Sequence, residues 1–353
     1  MRNPLNVLQT MRKALRARRS GAARCDYLPL HLIVETSSRC NLRCPMCPAS
    51  LPMKLDGGLM KFDTFKRVID ESATFVSDIE LSHRGEPLLN RHLPEMIAYA
   101  DEKRIATSLS TNATHLTEEL ALRLIESGLR SITFSVDGLD RDAYRKARVG
   151  ANFDEVLNSI VDFLRMKRRL RSRTPWTMIE TLDLPDAPFV EEKGRRFLGN
   201  FRSLPLDKFV IRQPHNWAGS VELSREREPL PSKPTPYHGC PFIWDTMVVL
   251  WDGSAALCPQ DWYNDNPLGN INDSSLREMW NGWTLTFVRQ LLADGEYNQI
   301  EVCSQCDLLW RRHGWGLIVV TGKGLFFENT AALGQVKIHN LPLRRLLQRL
   351  CSG

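Results

Sequence analysis

The sequence contains no run of 18 consecutive apolar residues, which excludes a segment patterned to cross a bilayer as a helix. Its first residues never build the apolar stretch of a secretory signal. Instead, residues 1–25 carry seven Arg or Lys and no acid. Internal repeats and low-complexity tracts are lacking, so solenoid and linker-like architectures are excluded. One more absence concerns the cysteines. After Cys47, thirty residues pass without a Cys or His, so Cys40, Cys44 and Cys47 have no nearby fourth ligand of the kind a structural zinc site needs.

What is present is a chain of 353 residues, 42% apolar and 25% charged, enough for one large domain and a smaller one. Seven of its nine cysteines fall in two spaced sets, which points to metal ligation in a reducing compartment rather than to disulfides. Short apolar runs at 31–36, 78–82, 105–110, 130–136, 176–182 and 208–213 alternate with helical periodicity near 61–75, 91–103, 117–127, 152–170 and 188–202. Five crossovers joining six strands predict a parallel α/β sheet. The expected organisation is a basic N-terminal helix within 1–28, the α/β unit over 29–217, a Pro- and charge-rich linker at 218–236, a second unit over 237–311 and a basic tail from 312 to 353. The N-terminal pattern places Leu5, Leu8, Met11 and Leu15 near one face. It reads either as a helix capping the main unit or as a weak docking surface for anionic membranes. A cytoplasmic protein with peripheral membrane contact through its basic termini is the expectation.

The stretch Cys40-Asn41-Leu42-Arg43-Cys44-Pro45-Met46-Cys47 directly follows the first predicted strand. Three thiolates spaced Cys-x3-Cys-x2-Cys can hold three corners of a [4Fe–4S] cluster and leave one iron open. On this motif the chain resembles the radical S-adenosylmethionine (radical SAM) family, whose open iron binds SAM. The resemblance implies an α/β fold built on a partial (βα)6 barrel, with the site at the C-terminal ends of the strands.

Further segments resemble the same family. His83-Arg84-Gly85-Glu86-Pro87-Leu88, after the second strand, is similar to its Gly-Gly-Glu-Pro segment, with Arg84 in place of the first Gly. The resemblance gives Gly85 a close backbone approach and Glu86 the methionine ammonium of SAM. Ser135 in Ser135-Val136-Asp137-Gly138 and Arg148 in Tyr144-Arg145-Lys146-Ala147-Arg148 resemble residues that bind the ribose and the methionine carboxylate. Arg145 competes with Arg148 for the second role. Thr111-Asn112 stands where relatives have a Thr-Asn-Gly turn, and with Ala113 replacing that Gly the turn reads as structural.

Cys240, Cys258, Cys303 and Cys306 form the other set. Four thiolates can saturate a second [4Fe–4S] cluster or make a zinc ribbon. The spacing Cys240-x12-Gly253-x4-Cys258, closed by Cys303-x2-Cys306, resembles the twitch domain, a shortened SPASM domain. It implies a small α+β auxiliary-cluster domain and two [4Fe–4S] clusters in all, with Trp251-Asp252-Gly253 as a β-turn between two strands. Cys25 and Cys351 belong to neither set and are expected to lie away from the chemistry.

The resemblance implies cleavage of SAM to a 5′-deoxyadenosyl radical and abstraction of a hydrogen atom from a substrate. Dehydrogenation of a carbinol in a small polyol, cyclitol or amino sugar is the leading expectation, because a saturated second cluster can take an electron. Peptide modification of the RiPP type, for which only about thirty residues precede the barrel, and epimerisation are the alternatives. An iron–sulfur electron carrier is the non-enzymatic one. Oxidation needs a base, and Asp261, three residues after Cys258, and His215, at the end of the sixth strand, are the candidates. Turn capping is the competing role for Asp261. The expected partners are a small-molecule substrate and a flavodoxin- or ferredoxin-type electron donor, with no nucleic acid.

Overall fold

Six parallel strands lie side by side in chain order: β1 (His31–Val34), β2 (Asp78–Glu80), β3 (Ala106–Thr111), β4 (Ser131–Ser135), β5 (Trp176–Leu182) and β6 (Lys208–Arg212). They belong to a computed structural model that describes residues 4–51, 57–76, 78–222 and 240–310, together with two strands within 318–327. After the N-terminal helix α1 (Pro4–Ser20), the crossovers are α2 (Phe62–Ser72), α3 (Leu93–Glu102), α4 (Glu118–Glu126), the pair α5 (Arg141–Ala147) and α6 (Phe153–Arg169), and α7 (Glu191–Leu198). All six predicted strands and the helices between them are in place. The sequence reading passed over α5, a two-turn helix started by Asp140, whose carboxylate accepts from the Ala143 amide at 2.9 Å.

Alternation along the strands decides what faces what. Ile79, Leu109, Ile132, Phe134 and Ile179 are buried in the apolar layer beneath the helices. Their neighbours Glu80, Ser108, Ser110, Thr133, Ser135 and Glu180 line the other side, the barrel lumen. One face of the strands thus builds the core and the other lines the lumen, where Ile33, Met178 and Leu182 stand among the polar residues.

The sheet continues past β1. After α8 (Phe242–Asp245), β7 (Thr246–Val249) pairs in parallel with β1, with Leu32 opposite Met247 and Val34 opposite Val249. β8 (Ser254–Ala256) and β9 (Gly269–Asn270) extend it antiparallel. Gly253, at φ +89°, makes the β7–β8 turn where the Trp251-Asp252-Gly253 pattern predicts it, and its amide donates to the Leu250 carbonyl at 2.9 Å. A single nine-stranded sheet results, so the second segment extends the first and does not stand apart from it. Helices α9 (Leu276–Trp280), α10 (Trp283–Ala293) and α11 (Glu301–Ser304) complete that segment. One apolar cluster runs from Leu32 and Ile79 to Trp244, Met247 and Trp280.

The chain before β1 is tied into this packing. Ala14 and Ala17 of α1 are buried, and the Trp244 indole donates to the Ala22 carbonyl at 2.9 Å. The Trp280 indole donates to the Tyr27 carbonyl, and the Tyr27 hydroxyl to the Trp244 carbonyl, both at 2.8 Å. The basic helix therefore caps the second segment. Cys25 is buried here, its amide donating to Asn281, and it does not line the lumen. Most of the expected linker, most of the basic tail and Cys351 lie outside the described residues; in the tail a hairpin of β10 (Ile318–Thr321) and β11 (Gly324–Phe327) is described. No helix among the described residues is long and apolar enough to cross a membrane.

Candidate active site at the barrel mouth

A cavity of about 490 Å³ occupies the lumen and opens at the C-terminal strand ends. The loop after β1 brings Cys40, Cys44 and Cys47 to it. The segment after β2 brings Gly85 and Glu86, β4 brings Ser135, and the end of α5 brings Arg148. All of the residues expected to hold the first cluster and SAM therefore share one cavity.

Gly85 is needed for a backbone contact. A Cβ there would sit 2.4 Å from the Ser37 carbonyl oxygen and 2.5 Å from that of Arg39, and the next amide, that of Glu86, donates to Arg39 at 2.8 Å. Glu86 is buried, which raises its pKa, although hydrogen bonds to the charged form act against that rise. Thr111 Oγ1 donates to it at 2.7 Å, the Asn112 amide at 2.8 Å and the Leu88 amide at 3.0 Å. The Thr111-Asn112 turn therefore acts as more than a connection, because it holds the carboxylate. Ala113, buried at φ +59°, occupies the left-handed position that a Gly takes more easily.

The two competing arginines are placed differently. Arg145 is exposed and pairs with Asp142 on its own helix at 3.5 Å. Arg148 lines the cavity and meets Asp137 at 2.6 Å. Burial works against its charge, but Asp137 and other neighbouring acidic groups outweigh it and hold the pKa above the ordinary value. Its Nε has no protein partner. A buried guanidinium with an unused donor fits a carboxylate from a bound ligand.

The thiols also fit their implied groups. Burial raises Cys47 to about 12, Cys240 to about 11 and Cys306 to about 12, and holds Cys258 and Cys303 well above the ordinary thiol value. Cys258 feels the charges of Cys303, Cys240 and Cys306, so the four form one buried group. A metal centre bound there would have to displace their protons, since metals take cysteine as thiolate. Among the described residues no three His, Cys, Asp or Glu are set to hold a single metal ion. Four thiols brought together can serve a zinc site or a cubane alike.

Several hydrogen bonds join the second segment to the barrel mouth, three of them as follows. Arg84 Nη1 donates to the Trp262 carbonyl at 2.9 Å, the Trp251 amide donates to Glu35 at 3.2 Å, and Asn216 Nδ2 donates to the Gln305 carbonyl at 2.8 Å. The last of these places the Cys303–Cys306 segment against the loop after β6. That loop carries His215, which lines the cavity with its ring 4.3 Å from that of Trp217. Asp261 is placed differently from its expected role. Its carboxylate accepts from the Asp265 amide at 3.0 Å and the Asn266 amide at 3.2 Å, and it does not line the cavity. It caps the turn after Cys258, and its neighbour Gln260 faces the cavity instead. Sequence reasoning also missed His83, which lines the cavity and which burial pushes down to about 4, so its imidazole is neutral. Its adjacency to the Arg84-Gly85-Glu86 segment was the available signal.

Comparison with known proteins agrees with this arrangement. Residues 34–174 match the model of the radical SAM superfamily, and residues 240–307 match SPASM, an iron–sulfur cluster-binding domain. The chain carries a radical SAM domain followed by an iron–sulfur cluster-binding domain of the SPASM type. The Fe-coproporphyrin III synthase of Methanosarcina barkeri is 34% identical over 129 residues, which is 36% of this chain and 32% of the relative, so the chain spans about a third of that protein. The structure of BtrN in complex with AdoMet and 2-DOIA shares the fold at a TM-score of 0.54 and 19% identity, covering 80% of this chain and 94% of BtrN. Streptococcus suis SuiB bound to precursor peptide SuiA does so at 0.63 and 16%, covering 89% of this chain and 77% of SuiB.

Proposed function

We propose that this radical SAM enzyme holds two [4Fe–4S] clusters, one on Cys40, Cys44 and Cys47 and one on Cys240, Cys258, Cys303 and Cys306, and dehydrogenates a carbinol of a small polyol, cyclitol or amino sugar. The observation that carries the reading is the lumen. Ser82, Ser108, Ser110, Thr133, Glu80 and Glu180 give it hydroxyls and carboxylates suited to a hydroxylated ligand. When bound, the clusters and SAM supply a 5′-deoxyadenosyl radical and an acceptor for the second electron. The chain's own share is positioning and proton handling. Glu86 offers its carboxylate to the SAM ammonium, Arg148 its unused Nε–H to the SAM carboxylate, and Ser135 its hydroxyl to the ribose. A carbinol becomes a carbonyl by losing one hydrogen atom, one proton and one electron. His215 is the cavity-lining residue assigned to the proton.

Peptide modification is the second reading, favoured by the similarity to SuiB bound to its precursor peptide. Epimerisation would need a hydrogen donor, and among the described residues the cysteines lining the cavity are those of the three-cysteine loop. Reaction in heavy water tests the proposal. Dehydrogenation leaves no solvent deuterium on the attacked carbon and one SAM is consumed per oxidised product. Deuterium at that carbon with unchanged oxidation state would overturn it in favour of epimerisation.

A further inference from the structure

Two polar atoms at the seam between barrel and auxiliary domain have no role in holding clusters or SAM. His83 Nε2 and Gln260 Oε1 are both buried and both lack a protein partner, and both residues line the lumen cavity. Both residues are tied to Trp262. The His83 ring centroid lies 6.2 Å from that of Trp262, and the Trp262 amide donates to the Gln260 carbonyl at 2.9 Å. Trp262 packs edge-on against Trp217 at 5.0 Å, and Trp217 lines the cavity. Trp217 and Ala218 adopt φ of +49° and +53°, a left-handed conformation that non-glycine residues avoid. The hydrogen bonds of Asn216 to Gln305 and Asp307 hold that loop in place.

We propose that His83 and Gln260 receive hydroxyl groups of the substrate, with its ring laid against Trp217. Buried polar atoms left unpaired are destabilising, so native sites keep them for a ligand or ordered water. An amide oxygen only accepts, whereas the nitrogen of a neutral imidazole accepts or donates according to tautomer. A hydroxyl serves both, because it donates and accepts. An acidic ligand group such as phosphate offers Gln260 Oε1 nothing. The indole face takes the apolar C–H face of a ring, as pockets of this kind combine aromatic walls with few polar contacts. This assignment rests on the reading of the substrate as a small hydroxylated molecule.

The test is equilibrium binding of myo-inositol, glucosamine and a seryl tripeptide amide to the reconstituted holoenzyme with SAM present. If the pair binds hydroxyls, His83→Phe and Gln260→Leu each weaken binding of the accepted probe by roughly 5- to 30-fold, the effect of stranding one hydrogen-bonding partner. Iron content and circular dichroism show that each variant folds. For a variant that does not, the ¹⁵N shift of the His83 imidazole in the wild-type protein must move on addition of the probe. Equal affinity in both folded variants, or an unmoved shift, would overturn the assignment while leaving the polyol reading standing. Preference for the seryl peptide, weakened by both substitutions, would support the pair and overturn the polyol reading. Binding of none of the three would overturn both.

Discussion

The Arg84 guanidinium clasps the Glu35 carboxylate through two bonds, Nε to Oε1 at 2.6 Å and Nη2 to Oε2 at 2.7 Å, and both side chains are almost wholly buried. Arg84 replaces the first Gly of the family-like Gly-Gly-Glu-Pro segment, and the replacement is integrated into the fold. Its third contact, with the Trp262 carbonyl, makes the same side chain a strap between the turn that carries Gly85 and Glu86 and the auxiliary domain. A fork of this kind cannot be replaced by lysine without losing a bond.

Reversion of Arg84→Gly is accordingly expected to destabilise. It would leave Glu35 buried with only backbone amides for company, and removing one member of a buried pair costs about 3–5 kcal/mol. Guanidinium unfolding of the reconstituted protein measures this. The double substitution Arg84→Met with Glu35→Met is expected to lose much less than Arg84→Gly alone, since it strands no charge. A loss below about 1 kcal/mol for Arg84→Gly would show that the strap is dispensable.

Glu86 depends on Thr111. Substituting Thr111→Val removes the 2.7 Å donor from a buried carboxylate whose pKa burial already raises. The expected result is a SAM dissociation constant about 5- to 30-fold higher, from a loss of roughly 1–2 kcal/mol at a charged acceptor. Cluster content should be unchanged, because Thr111 touches no cysteine ligand. Unchanged SAM affinity would mean that Glu86 does not meet the ammonium.

How far these features were legible in the sequence depends on what each residue's pattern encodes. The strands were readable because β4, Ser131–Ser135, carries the apolar alternates Ile132 and Phe134 that build a core. Of their polar partners, Ser135 was singled out only through the family resemblance and Thr133 not at all, yet both line the lumen. The cysteine spacing was readable because ligand geometry dictates it. By contrast, Glu35 and Arg84 stand 49 residues apart and have no shared periodicity, so only the fold joins them. The pairing of β7 with β1 was missed for a related reason: Thr246–Val249 and His31–Val34 are separated in sequence by the whole barrel, and local propensity cannot express their contact. Asp261 was singled out for its closeness to Cys258, but the amides of Asp265 and Asn266 claim its oxygens.

Two cysteine sets predict about eight irons per reconstituted chain, four for each cubane. Replacing Cys40, Cys44 and Cys47 with Ala should halve the iron and abolish SAM cleavage. Replacing Cys303 and Cys306 should remove the other half and loosen the loop that Asn216 anchors. Metal analysis checks both, and one equivalent of tightly bound zinc in place of the second four irons would sink the auxiliary-cluster assignment.

Deleting residues 1–20 is expected to destabilise the enzyme. Ala14 and Ala17 are buried against the auxiliary segment, and their removal uncovers apolar surface beneath α1. A fall in thermal midpoint of several degrees is the expected measurement. An unchanged midpoint would show that the packing of α1 contributes nothing.

The final prediction concerns acid. Burial pushes the His83 imidazole down to about 4 from its ordinary 6.5. The folded chain therefore binds fewer protons than the unfolded one below that ordinary value. The stability contributed by a neutral His83 is fully present above pH 6.5 and is lost as pH falls towards 4, by about 1.4 kcal/mol per pH unit. Guanidinium unfolding of the reconstituted enzyme between pH 7.5 and 5.5 reads this slope, and His83→Gln removes the titrating group. The acid lability of the iron–sulfur centres is common to both proteins and cancels in the difference. Wild type should lose roughly 1 kcal/mol more than the variant over that interval. Two curves falling in parallel would mean that His83 is solvated and charged at the lower pH, and a solvated imidazole would not hold its ring in the cavity wall beside Trp262.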